Sequence, residues 1–215
     1  MTIKRYQYVS YIENTVSEDA RKSDRITIAE HIKNGNCLTV AAYEYGHMIF
    51  LYFEALTEDI SPEMLFPELT KALSDTPNNN TFVKWKPLTN VYYTHKPESA
   101  ESLAREGKKT RIGKIAYLYP EKIPSYIYYH KALTDEGLYF GDKYLFISLV
   151  DNILFAYCEE PNIITHIKSD IDEPSSVIEE WQKQNPRSHF DRSLTDGENN
   201  FLILSPLLTI GKEDI

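Results

Sequence analysis

Residues 48–54 and 153–159 of this chain are near copies of each other. The first reads Met-Ile-Phe-Leu-Tyr-Phe-Glu and the second Ile-Leu-Phe-Ala-Tyr-Cys-Glu. Phe50/Phe155, Tyr52/Tyr157 and Glu54/Glu159 are identical at a constant separation of 105 residues. Self-similarity at about half the chain length is what a supersecondary unit used twice leaves behind, so it limits the possible folds more than any other feature. A second strand-like run precedes each copy, residues 37–43 in one case and 143–149 in the other. The short turns 44–47 and 150–152 join the runs, so each pair reads as a β-hairpin. Each half opens on a tyrosine-rich strand, 6–11 or 115–119, and closes on another, 85–93 or 204–210. Both closing strands carry Pro-Leu near their start, Pro87-Leu88 and Pro206-Leu207. Proline cannot donate to a ladder, which predicts an edge or a strand start for each.

Helix signals alternate with these strands. Ser17-Glu18-Asp19 opens a helix that runs to Lys33, with Gly35 placed to end it. Ser61-Pro62-Glu63 combines a capping hydroxyl, a proline in the first turn and an acid, and predicts a helix over 64–74. In the second half Pro124 opens a helix to Thr134, followed by Gly137. Pro174-Ser175-Ser176 opens another over 177–184, which Pro186 stops, and 188–194 suits one further helical turn. Each half therefore reads strand, helix, strand, strand, helix, strand, the ferredoxin-like order. The expected fold class is α+β, with two ferredoxin-like repeats at 1–93 and 114–215 joined by a polar linker at 94–113. In that linker 97–106 suits a short exposed helix closed by Gly107. A ferredoxin-like sheet carries helices on one face only and needs cover on the other. Two such faces packed together would make a pseudo-dimeric α+β barrel in one chain, expected to be a monomer or a weak dimer, with the pocket between the sheets.

Composition removes several classes of function. The chain has 215 residues and a formal net charge of −9, which argues against nucleic acid, because neutralising phosphates takes clustered Lys and Arg. The one basic run, Lys108-Lys109-Thr110-Arg111, lacks interleaved aromatics and reads as a solvated linker. No stretch approaches the roughly 20 apolar residues that span a bilayer. The N-terminal residues lack the apolar core of a signal peptide and read as a first strand, so the expected location is cytoplasmic. Two cysteines, Cys37 and Cys158, sit in apolar runs and are expected to act as small hydrophobes rather than as a disulfide or metal framework. The six histidines show no metal spacing, and no G-x-S-x-G, P-loop or G-x-G-x-x-G occurs. No cofactor is expected. Tyrosine is the unusual residue, 16 against 9 Phe and 2 Trp, which suits both a polar-lined cavity and plain strand propensity.

Three segments of the second half carry a resemblance. They are Tyr126-Ile127-Tyr128-Tyr129-His130, Asn152-Ile153-Leu154-Phe155-Ala156-Tyr157-Cys158-Glu159 and His189-Phe190-Asp191-Arg192-Ser193-Leu194. Together they resemble the L-rhamnose mutarotase family of dimeric α+β barrels. That family has a substrate-contacting Tyr and a proton-donor His at the spacing of Tyr126 and His130, which puts both on one helix face. The resemblance implies that His130 is the acid/base of sugar ring opening. It further implies Tyr126, Tyr144, His189 and Phe190 as substrate-binding residues, and a small sugar as ligand. His189-Phe190 stands where the family has a Trp-Trp pair. The first half has no Tyr-x-x-x-His in its helix, so one site per chain is expected. An imidazole suits ring opening because both protonation states are populated near neutrality. Two other readings stay open: a small-ligand-binding barrel without catalysis, and a barrel monooxygenase or haem-binding relative.

Overall fold

The computed structural model describes residues 3–13, 15–168 and 170–215. Its first stretch runs β1 (Lys4–Tyr11), α1 (Glu18–Lys33), β2 (Cys37–Tyr45), β3 (Met48–Ala55), α2 (Pro62–Leu65) and α3 (Pro67–Ala72). A small hairpin, β4 (Thr76–Asn78) and β5 (Thr81–Val83), precedes β6 (Lys86–Pro87) and β7 (Thr89–Tyr93). The second stretch runs β8 (Thr110–Leu118), α4 (Ile123–Glu136), β9 (Gly141–Asp142), β10 (Phe146–Val150) and β11 (Ile153–Glu160). It ends with β12 (Ile164–Thr165), α5 (Ser176–Lys183), β13 (Phe190–Asp191), β14 (Leu202–Ile203) and β15 (Ser205–Gly211). The fold is mixed α+β, and its sheets are antiparallel. Among the described residues no helix is long and apolar enough to cross a membrane.

The expected closing strand 85–93 is split between two sheets, whereas the expected 204–210 is β15, with a short strand β14 just before it on the other sheet. One compact unit comprises Met1–Leu88, Pro97–Lys108 and Ser205–Ile215, the other Thr89–Lys96 and Lys109–Leu204. The first unit holds a sheet in the order β15-β2-β3-β1-β6. The second holds β13-β8-β11-β10-β7, with β14 also paired to β8. Thus β6 lies against β1, whereas β7, two residues later, pairs with β10. Likewise β14 lies against β8, whereas β15 pairs with β2. The residue at each break is bonded on the near side: Leu88 donates its N–H to Gln7 at 2.9 Å, and Leu204 donates to Gly113 at 2.9 Å. The units therefore differ from the expected 1–93, 94–113 and 114–215 by an exchange of closing strands. Pro87 and Pro206 fall on the two edge strands of the first sheet, as a residue without a donor requires.

In the first unit, Ser17 caps α1 by accepting from the Ala20 N–H at 3.2 Å. Ile28 and Ile32 of α1 bury against Val40, Leu51 and Phe53 of the sheet. The single helix expected over 64–74 is two short ones. Pro67 has no N–H and crowds the turn before it, so the chain breaks at Phe66 with φ −126° and ψ 61°. The break leaves the start of α3 uncapped by its own residues. Asp24, on the buried face of α1, supplies the cap: its two oxygens accept from the N–H groups of Glu68 and Leu69, both at 2.9 Å. Replacing Asp24 by Ala orphans both donors and should cost about 1–3 kcal/mol in chemical denaturation. An unchanged midpoint would mean that water recovers both bonds.

The linker also departs from expectation. The exposed helix over 97–106 is only a 3₁₀ turn at Glu101–Leu103, and Leu103 is fully buried. So short a segment does not nucleate an α-helix alone, and it is held by what it inserts into the first unit. Lys109 and Arg111 of the basic run are buried rather than solvated, 5% and 7% exposed. The Lys109 ammonium donates to the Pro161 carbonyl at 2.7 Å and lies 5.6 Å over the Tyr144 ring. Both cysteines are free and buried, and burial pushes the Cys37 thiol up to about 12.

In the second unit, α4 extends to Glu136 and ends on Gly137 at φ 73°, whose N–H returns to the Leu133 carbonyl. The helices cover one sheet face through Ala116, Leu118, Leu154 and Ala156. The opposite faces of the two sheets carry the repeated triplets Phe50, Tyr52, Glu54 and Phe155, Tyr157, Glu159. All six are fully withdrawn from solvent.

Candidate functional site

The i, i+4 spacing on α4 brings Tyr126 and His130 into direct contact. Their rings stack with centroids 3.8 Å apart and planes 19° from parallel. Tyr92 of β7 and Trp181 of α5 each meet the His130 ring edge-on at 5.2 Å. Trp181 extends the cluster to His189, 4.6 Å away, and to Tyr129, 5.2 Å away. Phe190 meets Tyr126 edge-on at 5.8 Å. Helix α5, which places Trp181, starts where Ser175 accepts from the Ile178 N–H at 3.0 Å.

His130 Nδ1 lies 2.9 Å from the Tyr126 carbonyl oxygen. A carbonyl only accepts, so Nδ1 carries the hydrogen in this bond. The neutral ring then keeps its lone pair on Nε2, which has no hydrogen-bond partner among the described residues. Burial among the rings lowers the His130 pKa to about 4, against a smaller upward pull from the Tyr126 carbonyl. The ring is therefore neutral at pH 7, half-buried, and fixed in one tautomer. His189 Nε2 pairs with the Ser125 hydroxyl at 3.0 Å. Burial lowers the His189 pKa as well and outweighs the nearby Asn185 and Pro186 carbonyls. Burial raises the hydroxyls of Tyr92 and Tyr126, so both stay protonated.

Of the residues expected at the site, Tyr126, His130, His189 and Phe190 meet in this cluster. Tyr144 does not belong to it. It lies in the turn between β9 and β10, beneath the ammonium groups of Lys109 and Lys143 at 5.6 and 5.8 Å. His189 and Phe190 lie in the interior. They are 1% and 7% exposed, because the 3₁₀ turn at Pro186–His189 folds them inward against Trp181 and Tyr126. Tyr126 is likewise interior at 1% exposure. The cluster presents mainly ring surface around two imidazoles, those of His130 and His189. It offers few of the hydroxyl and amide groups that hold a sugar.

Neither Trp181 nor the repeated acids Glu54 and Glu159 is among the residues expected at a site. Trp181 was legible as the apolar position in Val177, Ile178 and Trp181, spaced to share one face of α5. The acids are legible as a charge inside an otherwise continuous apolar strand. Tyr52 donates to Glu54 at 2.8 Å, and Tyr157 to Glu159 at 2.5 Å. Arg105 from the linker grips Glu54 through two nitrogens at 2.6 and 2.8 Å. Glu159 faces Arg111 across the β8–β11 ladder. No group of three or more metal-ligating side chains occurs among the described residues.

No protein-family model matches the chain, and no curated protein does. Among solved structures it is similar to a candidate monooxygenase from Fusobacterium nucleatum subsp. nucleatum ATCC 25586. The identity is 9%, the TM-score is 0.45, and the match covers 100% of this chain and 96% of that one. A candidate monooxygenase from Lactobacillus acidophilus NCFM gives 7% identity, a TM-score of 0.45 and coverage of 100% and 99%. An anthrone oxidase-like protein gives 8%, 0.35, and coverage of 98% and 96%. None of these three is a mutarotase, and likeness this distant carries no argument about activity.

Proposed function

We propose that the chain is a tandem duplication of a ferredoxin-like unit and acts as a cofactor-free, monooxygenase-like enzyme on a small aromatic molecule with an acidic C–H. The observation that supports this reading is His130: a neutral imidazole of fixed tautomer, with a free lone pair on Nε2, set among Tyr126, Tyr92 and Trp181. Ring surfaces suit a flat aromatic substrate better than a polyhydroxylated one. His130 Nε2 would take the proton from the substrate carbon, and the carbanion would react with dioxygen. The balance is one methylene and one O₂ giving one carbonyl and one water, so four electrons pass from carbon to oxygen. Oxygen uptake with an anthrone as substrate tests this. His130→Gln should lower kcat by about 10²–10⁴-fold, the usual worth of a positioned base. Wild-type activity should persist on the acid side of pH 6 and fall only near pH 4, where His130 gains its proton. No oxygen uptake from anthrones or related phenols would overturn the reading.

A second reading is a ligand-binding protein without catalysis. The interior positions of Tyr126, His189 and Phe190 favour it over catalysis, since they narrow the approach of a substrate carbon to His130 Nε2. Saturable quenching of Trp181 fluorescence by the same aromatics, with no oxygen uptake, would select it.

A further inference from the structure

The segment that leaves α4 turns back beneath α5 and frames a cavity of about 480 Å³, separate from the histidine cluster. Its frame is rigid for identifiable reasons. Gly137 makes the turn at φ 73°, and a side chain there would meet Ile167 at 3.1 Å. Glu136 reaches across to the start of α5 and accepts from the Ser175 hydroxyl, the Ser176 N–H at 3.0 Å and the Val177 N–H at 3.4 Å. Those bonds occupy the Glu136 carboxylate and hold Ser175 in place, so neither is free for a ligand.

The lining is of two chemical kinds. Tyr139 and Phe140 present ring surface, 38% and 48% exposed, which is unusual for large aromatics beside a helix end. Phe140 cannot turn inward, because the buried His166 ring already meets it edge-on at 4.2 Å. Lining it with the rings are Asp172 and Glu173 from the loop before α5 and Glu179 from its first turn. Three exposed carboxylates line the cavity, and no basic residue does. Aromatic faces are negative at their centres and attract a cation with little hydration to lose. Carboxylates at the rim add a long-range attraction of the same sign. The volume lies in the range of small-molecule sites and well above what a lysine ammonium fills.

We propose that this cavity binds a small organic cation of the quaternary ammonium class, with its methyl groups against Tyr139 and Phe140 and its charge balanced by Asp172, Glu173 and Glu179. The probe is choline, and its neutral isostere 3,3-dimethyl-1-butanol has the same shape without the charge. Isothermal titration of the full chain should give saturable binding of choline and at least tenfold weaker binding of the isostere. Phe140→Ala should weaken choline about 5–30-fold, the worth of one partly desolvated cation–π contact. Glu173→Gln, on an exposed side chain that leaves the frame intact, should weaken choline severalfold and reduce, without abolishing, its salt dependence, since Asp172 and Glu179 remain. Far-ultraviolet circular dichroism keeps a folding defect in Phe140→Ala distinguishable from lost binding. Equal affinity for choline and the alcohol would overturn the proposal, because the rings alone would then be recognising shape. Absence of binding at millimolar choline, or binding that neither variant alters, would overturn it as well.

Discussion

Arg105→Ala should be the most destabilising single change to a polar residue in this chain. Arg105 and Glu54 are almost wholly withdrawn from solvent, with side chains 4% and 0% exposed, and share two short bonds at 2.6 and 2.8 Å. Removing the guanidinium leaves a buried carboxylate short of a cation, which costs about 3–5 kcal/mol. For a chain of this size that corresponds to a fall in Tm of about 6–20 °C. The loss should also release the linker, because Arg105 is its main polar anchor beside the buried Leu103. Proteolysis between residues 97 and 108 should then accelerate. Combining Arg105→Ala with Glu54→Gln should recover part of the stability, since a neutral amide needs no counter-charge. Calorimetry on the four proteins of this cycle checks it. A double variant no better than the single one would show that Arg105 acts through packing rather than charge.

The second large effect is on stability against pH. Unfolded, His130 titrates near 6.5; folded, near 4. Between those values the unfolded chain binds the extra proton, so this contribution to stability is whole above pH 6.5 and is lost as the pH falls towards 4. At about 1.4 kcal/mol per unit, the loss amounts to about 2–3 kcal/mol. His189, whose pKa burial also lowers, acts in the same direction. Carboxylates titrate in this range too, so the measurement is the difference between the wild type and His130→Phe. From pH 7 to pH 4 the urea midpoint of the wild type should fall relative to that of His130→Phe. Parallel curves would mean that His130 takes up its proton in the folded chain without penalty.

Much of the local structure was readable from individual residues. Ser17, Ser61 and Ser175 cap the helices that follow them, because a side-chain oxygen next to orphan N–H groups needs no distant partner. The hairpins are readable from paired apolar runs joined by short turns, and the i, i+4 pairing of Tyr126 with His130 from helix geometry alone. The break at Phe66 has a local cause as well, since Pro67 has no N–H and pushes the residue before it out of the helical region. The burial of Lys109, Arg111 and Arg105 was not readable. A basic residue in a polar run looks solvated until the acceptors it meets, Pro161 and Glu54, are brought near from 52 and 51 residues away.

What the sequence by itself determined is the set of repeated parts: strand, helix and hairpin in each half, with Tyr and Glu at matching places on one strand face. Those follow from periodicity, caps and prolines, all of which act over a few residues. Tertiary structure alone decided which strand closes which sheet. Residues 88 and 204 have the same local chemistry whether the strand beyond them stays or crosses, because an edge ladder accepts any strand of suitable length. It also decided that Tyr126, His130, Trp181 and His189 share one cluster while Tyr144 does not. Ring packing depends on where α5 comes to rest against α4, and no local spacing records that distance.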